Sequence, residues 1–248
     1  MNRVIMACAL LFASLAGAQE ITIAAAADLN FALRDLAQKY EAKTGTRVKL
    51  TFGSSGNLFT AIENGAPYDL FFSADVEYPK RLAAAGRALP ETIYEYAVGK
   101  LVLWAPKTSP LDVSHGFQVL MDGRVRKIAM ANPKHAPYGR AAEQALRSAG
   151  VYDLVRNRLV LGENISQTAQ FVQSGNADVG LLALSLALSP TMAGKYWVMP
   201  EKFYEPLRQA AIVVKSSSKQ QAAREFLNFI QSEESREVLN RYGFGAAR

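Results

Sequence analysis

From residue 21 onward the chain repeats one unit: a short apolar run, a turn of small or polar residues, a stretch of helical periodicity, then a glycine. Residues 21–26 (I-T-I-A-A-A) read as a strand, and 29–43 as a helix with Leu29, Leu33, Leu36 and Tyr40 on one face, stopped at Gly45. Residues 47–53 and 55–64 repeat the unit up to Gly65, and 68–72 and 76–85 repeat it up to Gly86. A glycine just past the last periodic residue ends a helix because it takes positive φ without steric cost. Links this short, alternating strand with helix, demand an α/β fold: a largely parallel sheet with helices on its faces.

Residues 94–104 break the pattern. The run E-Y-A-V-G-K-L-V-L-W is too long for one short buried strand and carries Gly99 in its middle, so it is expected to leave one sheet and enter another. Alternation then resumes, with strands expected at 127–130, 159–161 and 179–184 and helices at 138–148 and 165–174. A last strand is expected at 210–214 and a last amphipathic helix at 219–230. The expected architecture is two doubly wound α/β lobes joined by two crossing strands. Residues 19–97 and 207–248 form lobe I, residues 98–206 form lobe II, and the second crossing falls near 206–209.

Ahead of this lies Met1-Asn2-Arg3, an apolar run over 4–15, and Ala16-Gly17-Ala18. One positive charge, a short hydrophobic segment and an A-x-A site read as a secretory signal peptide over residues 1–18, too short for a mature membrane anchor. The expected location is the periplasm, and no later stretch has the apolar length of a membrane span. The single cysteine, Cys8, falls within the signal, so a disulfide framework, a cysteine nucleophile and a thiolate metal site are excluded for the exported chain. The formal charge of +6 is scattered along the sequence. It therefore reads as solvated surface and not as a nucleic-acid footprint.

In doubly wound sheets, ligands sit beyond the carboxyl ends of the strands, where loops lead into helices. Five such junctions carry small or polar residues: Ala27-Asp28, Ser54-Ser55, Pro137-Tyr138-Gly139, Asn164-Ile165-Ser166 and Ala183-Leu184-Ser185. T-F-G-S-S-G-N over 51–57 shows the chemistry most plainly. A strand stopping at Gly-Ser-Ser-Gly and restarting as a helix leaves unpaired amides at the positive end of the helix dipole, with hydroxyls beside them and little bulk in the way. Several such ends facing one cleft would hold a small anion without any Lys or Arg. Each residue also has a plainer role: Ser55 and Asn164 as helix caps, Tyr138 as a core aromatic with its hydroxyl tied to the backbone. An enzyme is the weaker reading. Ser55 with His135 and an aspartate suggests an exported serine hydrolase, but G-S-S-G is not G-x-S-x-G, and His115 is the only other histidine.

The stretches I-T-I-A-A-A-A-D-L, F-G-S-S-G-N, G-A-P-Y-D-L-F-F-S-A-D, N-P-K-H-A-P-Y-G, G-E-N-I-S-Q and R-Y-G-F run from Ile21 to Phe244. Through them the chain resembles the periplasmic molybdate-binding proteins of ABC importers, within the type II periplasmic solute-binding class. The resemblance implies a two-lobed monomer with no catalytic role and no cofactor. It would close on molybdate or tungstate and deliver that ion to a transporter permease in the inner membrane. The ligand positions it implies are Ala27 and Asp28 at the first junction, Ser55 at the second, Tyr138 in A-P-Y-G, and Ile165, with no direct bond to the metal atom. Many members carry a tyrosine where this chain has Ala183, and Tyr138 is expected to replace it. Asp28 departs from the family, whose members often have Ser, Thr or Asn there, because an ionised carboxylate repels a dianion. Three resolutions stand open. Asp28 caps the helix that follows, with only its amide offered to the ligand, or it is protonated in the closed cleft, or it accepts from a protonated oxyanion. The last would shift specificity toward phosphate or arsenate, and sulfate or a phosphonate would fit a cleft of the same kind.

Overall fold

The computed structural model describes residues 19–247. The expected signal peptide, residues 1–18, lies outside them. In chain order the strands are β1 (Glu20–Ala26), β2 (Arg47–Gly53), β3 (Leu70–Ser73), β4 (Tyr94–Gly99), β5 (Leu101–Pro106), β6 (Ile128–Ala131), β7 (Leu159–Gly162), β8 (Val179–Ala183), β9 (Gly194–Val198) and β10 (Leu207–Val213). The α-helices are α1 (Asn30–Thr44), α2 (Ser55–Glu63), α3 (Glu77–Ala84), α4 (Pro137–Ser148), α5 (Tyr152–Val155), α6 (Ile165–Gln173), α7 (Leu184–Ala187), α8 (Gln220–Ile230) and α9 (Glu233–Arg241). Short 3₁₀ turns fill several connections, among them Ala27–Leu29 between β1 and α1.

Two five-stranded sheets result, in the orders β2-β1-β3-β10-β4 and β7-β6-β8-β5-β9. The strands of each βα unit pair in parallel, as the short links require: β1 with β2 and β3, β6 with β7 and β8. The crossing strands run the other way. β10 is antiparallel to β3 and β4, and β5 is antiparallel to β8 and β9, so both sheets are mixed. The run around Gly99 divides as expected, β4 ending the first sheet and β5 opening the second, with Lys100 between them.

The glycine stops behave as their positions demand: Gly45, Gly65 and Gly86 all have positive φ. One face of the first sheet is packed by Leu33, Leu36, Phe226 and Leu227 from α1 and α8. The other is packed by Leu58, Phe59 and Leu82 from α2 and α3. A third cluster fills the second sheet around Trp104, Leu103 and Leu181 and continues through Ala26, Ala27 and Ala74 of the first. The two sheets are therefore in apolar contact where the ends of β1 and β3 meet α4, and the cleft lies there.

Candidate functional site

Each wall of the cleft is a helix start whose capping leaves one amide over. In α2 the Ser54 side chain accepts from the Asn57 amide at 3.4 Å, and the Gly56 amide donates across the cleft to the His135 carbonyl at 2.9 Å. In α6 the Asn164 side chain takes the amides of both Ser166 and Gln167 at 3.0 Å. In α4 the first position is Pro137, which has no N–H, and Gly139 and Arg140 both donate to the Ala136 carbonyl. The amides of Ser55, Ile165 and Tyr138 are what remain, with no protein acceptor among the described residues. Orphan amides at helix starts are expected. Here they converge on one small cleft, lined also by Ala27 and Asp28.

All five residues expected from the sequence (Ala27, Asp28, Ser55, Tyr138 and Ile165) thus line the same cleft, and all are buried. The Ser55 hydroxyl accepts from the Ala74 amide at 2.9 Å, which leaves its own proton free to donate. No cationic side chain lines this space among the described residues. The space is far smaller than the pockets that hold a sugar or an amino acid, so the cleft suits a small ion.

The lobes are latched shut around it. From the second sheet's side, the Ser166 hydroxyl donates to the Ala27 carbonyl at 3.0 Å and the Ser185 hydroxyl to the Asp28 carbonyl at 2.7 Å. Asn57 reaches Glu163, and the Arg140 guanidinium pairs with Asp75. A larger groove of about 320 Å³ also opens between the lobes, beside Arg140 and Arg208. Its cations are already answered: Arg140 by Asp75, and Arg208 by a two-point pair with Glu95 at 2.7 and 2.9 Å. An anion there would have to displace a carboxylate.

Asp28 is not a cap. The 3₁₀ turn and α1 have no side-chain cap bond, and the carboxylate turns inward, where its Oδ2 accepts from Gln209 Nε2 at 2.6 Å. Burial pushes its pKa up to about 6 against the lowering effect of Gln209, the Tyr138 hydroxyl, and the backbone amides of Asp28 and Leu29. Of the three resolutions left open by the sequence, capping of the following helix is therefore not the one adopted. The Tyr138 hydroxyl accepts from Gln209 at 3.3 Å. Burial first, and the Asp28 carboxylate second, hold its pKa well above the usual tyrosine range. Gln209 Oε1 takes the Tyr96 hydroxyl at 2.7 Å, completing a buried polar chain that ties both crossing strands to α4.

Gln209 is the residue that sequence reasoning misses. Its one signal is an uncharged polar side chain in the apolar run L-R-Q-A-A-I-V, fully buried in the structure. The suggested Ser55–His135 pairing is not formed either. His135 Nδ1 meets Ser54 Oγ at 2.9 Å, while the Ser55 hydroxyl is engaged by Ala74.

Two lobes, two crossing strands and a cleft of helix starts define a binder of small solutes. The chain belongs to the bacterial extracellular solute-binding protein family, whose model matches residues 21–245. Within that family it is similar to the molybdate-binding protein ModA of Rhodobacter capsulatus, 36% identical over 229 residues, 92% of this chain and 89% of that one. It is also similar to ModA of Azotobacter vinelandii, 36% identical over 237 residues, 95% and 93% of the two chains. The solved Azotobacter vinelandii periplasmic molybdate-binding protein superposes with a TM-score of 0.87 at 34% identity, over 92% of this chain and 100% of that one.

Proposed function

We propose that this protein captures molybdate or tungstate in the periplasm and hands it to an ABC importer in the inner membrane. The cleft holds the anion through the Ser55 hydroxyl and the amides of Ser55, Tyr138 and Ile165, against a wall formed by Ala27 and Asp28. The observation that carries this reading is the convergence of unclaimed helix-start amides on one small cleft without a cation. Donors fixed by helix geometry cost little to reorganise, and a dry site strengthens each bond to an ionised acceptor. Charge-assisted bonds contribute about 1.5–3 kcal/mol each, so a handful, less the cost of immobilising the ion, reaches micromolar affinity near −8 kcal/mol or tighter.

The protein works as a monomer and performs no catalysis. Its cycle is closure on the anion, presentation of the closed form to the permease, and release. Among the described residues no helix is long and apolar enough to cross a membrane, which fits delivery to a separate permease. The test is a thermal-shift panel of molybdate, tungstate, sulfate, phosphate and chromate. A ligand at about 100 times its dissociation constant adds about 2.7 kcal/mol of stability, a clear rise in Tm. Molybdate and tungstate are expected to give it and sulfate and phosphate to give little; a shift with phosphate alone would overturn the assignment.

A further inference from the structure

One group in the cleft works against an anion. Asp28 is 1% exposed and lines the space with Ser55 and Tyr138. Its Oδ2 is held by Gln209, while its Oδ1 has no hydrogen-bond partner among the described residues. An unpartnered carboxylate oxygen in a dry site is costly, and a dianion beside it adds like-charge repulsion in a medium that screens poorly. The packed elements offer no cation to offset this. α4 brings Tyr138, β4 brings Tyr96 and β10 brings Gln209, while α6 and α7 bring Ser166 and Ser185, whose hydroxyls go to main-chain carbonyls. The titratable neighbours, Tyr96 and Tyr138, are both pushed well above the ordinary tyrosine value by burial and by Asp28, so they stay neutral.

We propose that Asp28 takes up a proton as the oxyanion enters, so the cleft binds anion and proton together. The proton comes from solvent and resides on the carboxyl; no bond of the anion is broken. The neutral carboxyl keeps its carbonyl oxygen on Gln209 and turns the orphaned oxygen into a hydroxyl donor. Burial already lifts the Asp28 pKa to about 6, and a dianion alongside raises it further in the same direction. The inference rests on the function proposed above and adds a proton to its stoichiometry.

Calorimetry on the full chain tests it, with molybdate titrated in buffers of different ionisation heat from about pH 6.5 to about pH 8.5, above the ordinary carboxylate range. The expected result is uptake of about one proton per anion at the upper end, with affinity falling about tenfold per pH unit. Asp28→Asn, neutral and of the same shape, should lose the uptake and the pH dependence and bind molybdate more tightly than the wild type at the highest pH. Asp28→Ser serves the same purpose if the asparagine variant fails to fold. Binding by the wild type whose heat is the same in every buffer would overturn the proton and leave the function standing. Uptake that survives in the variant would place the proton elsewhere and overturn it too. Failure of molybdate and tungstate to bind at any pH would overturn the function itself, and this inference with it.

Discussion

Ser55 does two jobs at once. Its oxygen takes the Ala74 amide, which fixes the end of β3 against α2, and its proton is left to point into the cleft. Ser55→Ala should weaken molybdate binding by about 1–3 kcal/mol, the usual cost of a lost charge-assisted bond to a buried partner, read by calorimetry. Unchanged affinity would remove the hydroxyl from the site. Asp28 gives a prediction of different sign. Its pKa near 6 stands above its ordinary value of 3.8, so the folded state holds the proton more tightly. The resulting stabilisation is complete below about pH 3.8 and is lost as pH rises through about 6, an effect on the order of 3 kcal/mol. Melts of wild type and Asp28→Asn without anion should show the wild type losing ground to the variant across that window and a constant gap above it. A gap independent of pH would mean the carboxylate titrates normally. That Ser55, Tyr138, Ile165, Ala27 and Asp28 would come together at one cleft was readable from the junctions and from family likeness. What Asp28 does was not, because its partner Gln209 lies 181 residues away in the sequence.

At the scale of elements, the cleft is a product of how helices begin. Ser54, Asn164 and Pro137 each dispose of some first-turn amides, through a side-chain acceptor or a missing N–H, and the leftover donor faces inward. Gly56 shows how closely two such starts approach. A Cβ there would lie 2.6 Å from the His135 carbonyl across the cleft and 2.8 Å from the hydroxyl of Tyr78, whose buried ring packs on Phe59 and whose hydroxyl accepts from Arg140. Gly56→Ala should therefore lower the melt even without ligand, because neither the backbone carbonyl of His135 nor the packed ring of Tyr78 yields cheaply. Molybdate affinity should drop by more than about tenfold, because the added methyl pushes the start of α2 away from the His135 carbonyl that its Gly56 amide meets beside the cleft. Equal affinity would show that the lobes need not meet here. The helices ended by Gly45, Gly65 and Gly86 were legible because period and stop signal agree. β9, an edge strand with Tyr196 and Val198 exposed, and α9, which follows α8 after two residues, were not. β9 takes its order from pairing with β5, and such long-range pairing leaves no period in a five-residue run.

Across the whole molecule, the crossings carry the mechanics. β4 and β10 belong to the first sheet and hand the chain to and from the second, and the Asp28–Gln209–Tyr96 chain with the Tyr138 hydroxyl sits where they meet α4. Gly99 is required there because a Cβ would fall 2.2 Å from the Tyr138 hydroxyl. The break at that glycine was visible in the sequence; the polar cluster that needs it was not. Outside the cleft, the bonds across the lobes are few and mostly polar, among them Arg140 with Asp75, Asn57 with Glu163, and His135 with Ser54. Polar contacts of that kind exchange readily with water. On the function proposed above, an anion held by both lobes is what would tip the equilibrium toward the closed form. The most direct measurement is anomalous diffraction at the molybdenum edge from crystals grown with molybdate. A single strong peak is expected in the cleft, with oxygens in hydrogen-bond reach of the Ser55 hydroxyl and the amides of Tyr138 and Ile165. A peak held instead by lysine or arginine side chains, in the Arg140 groove or on the surface, would contradict it.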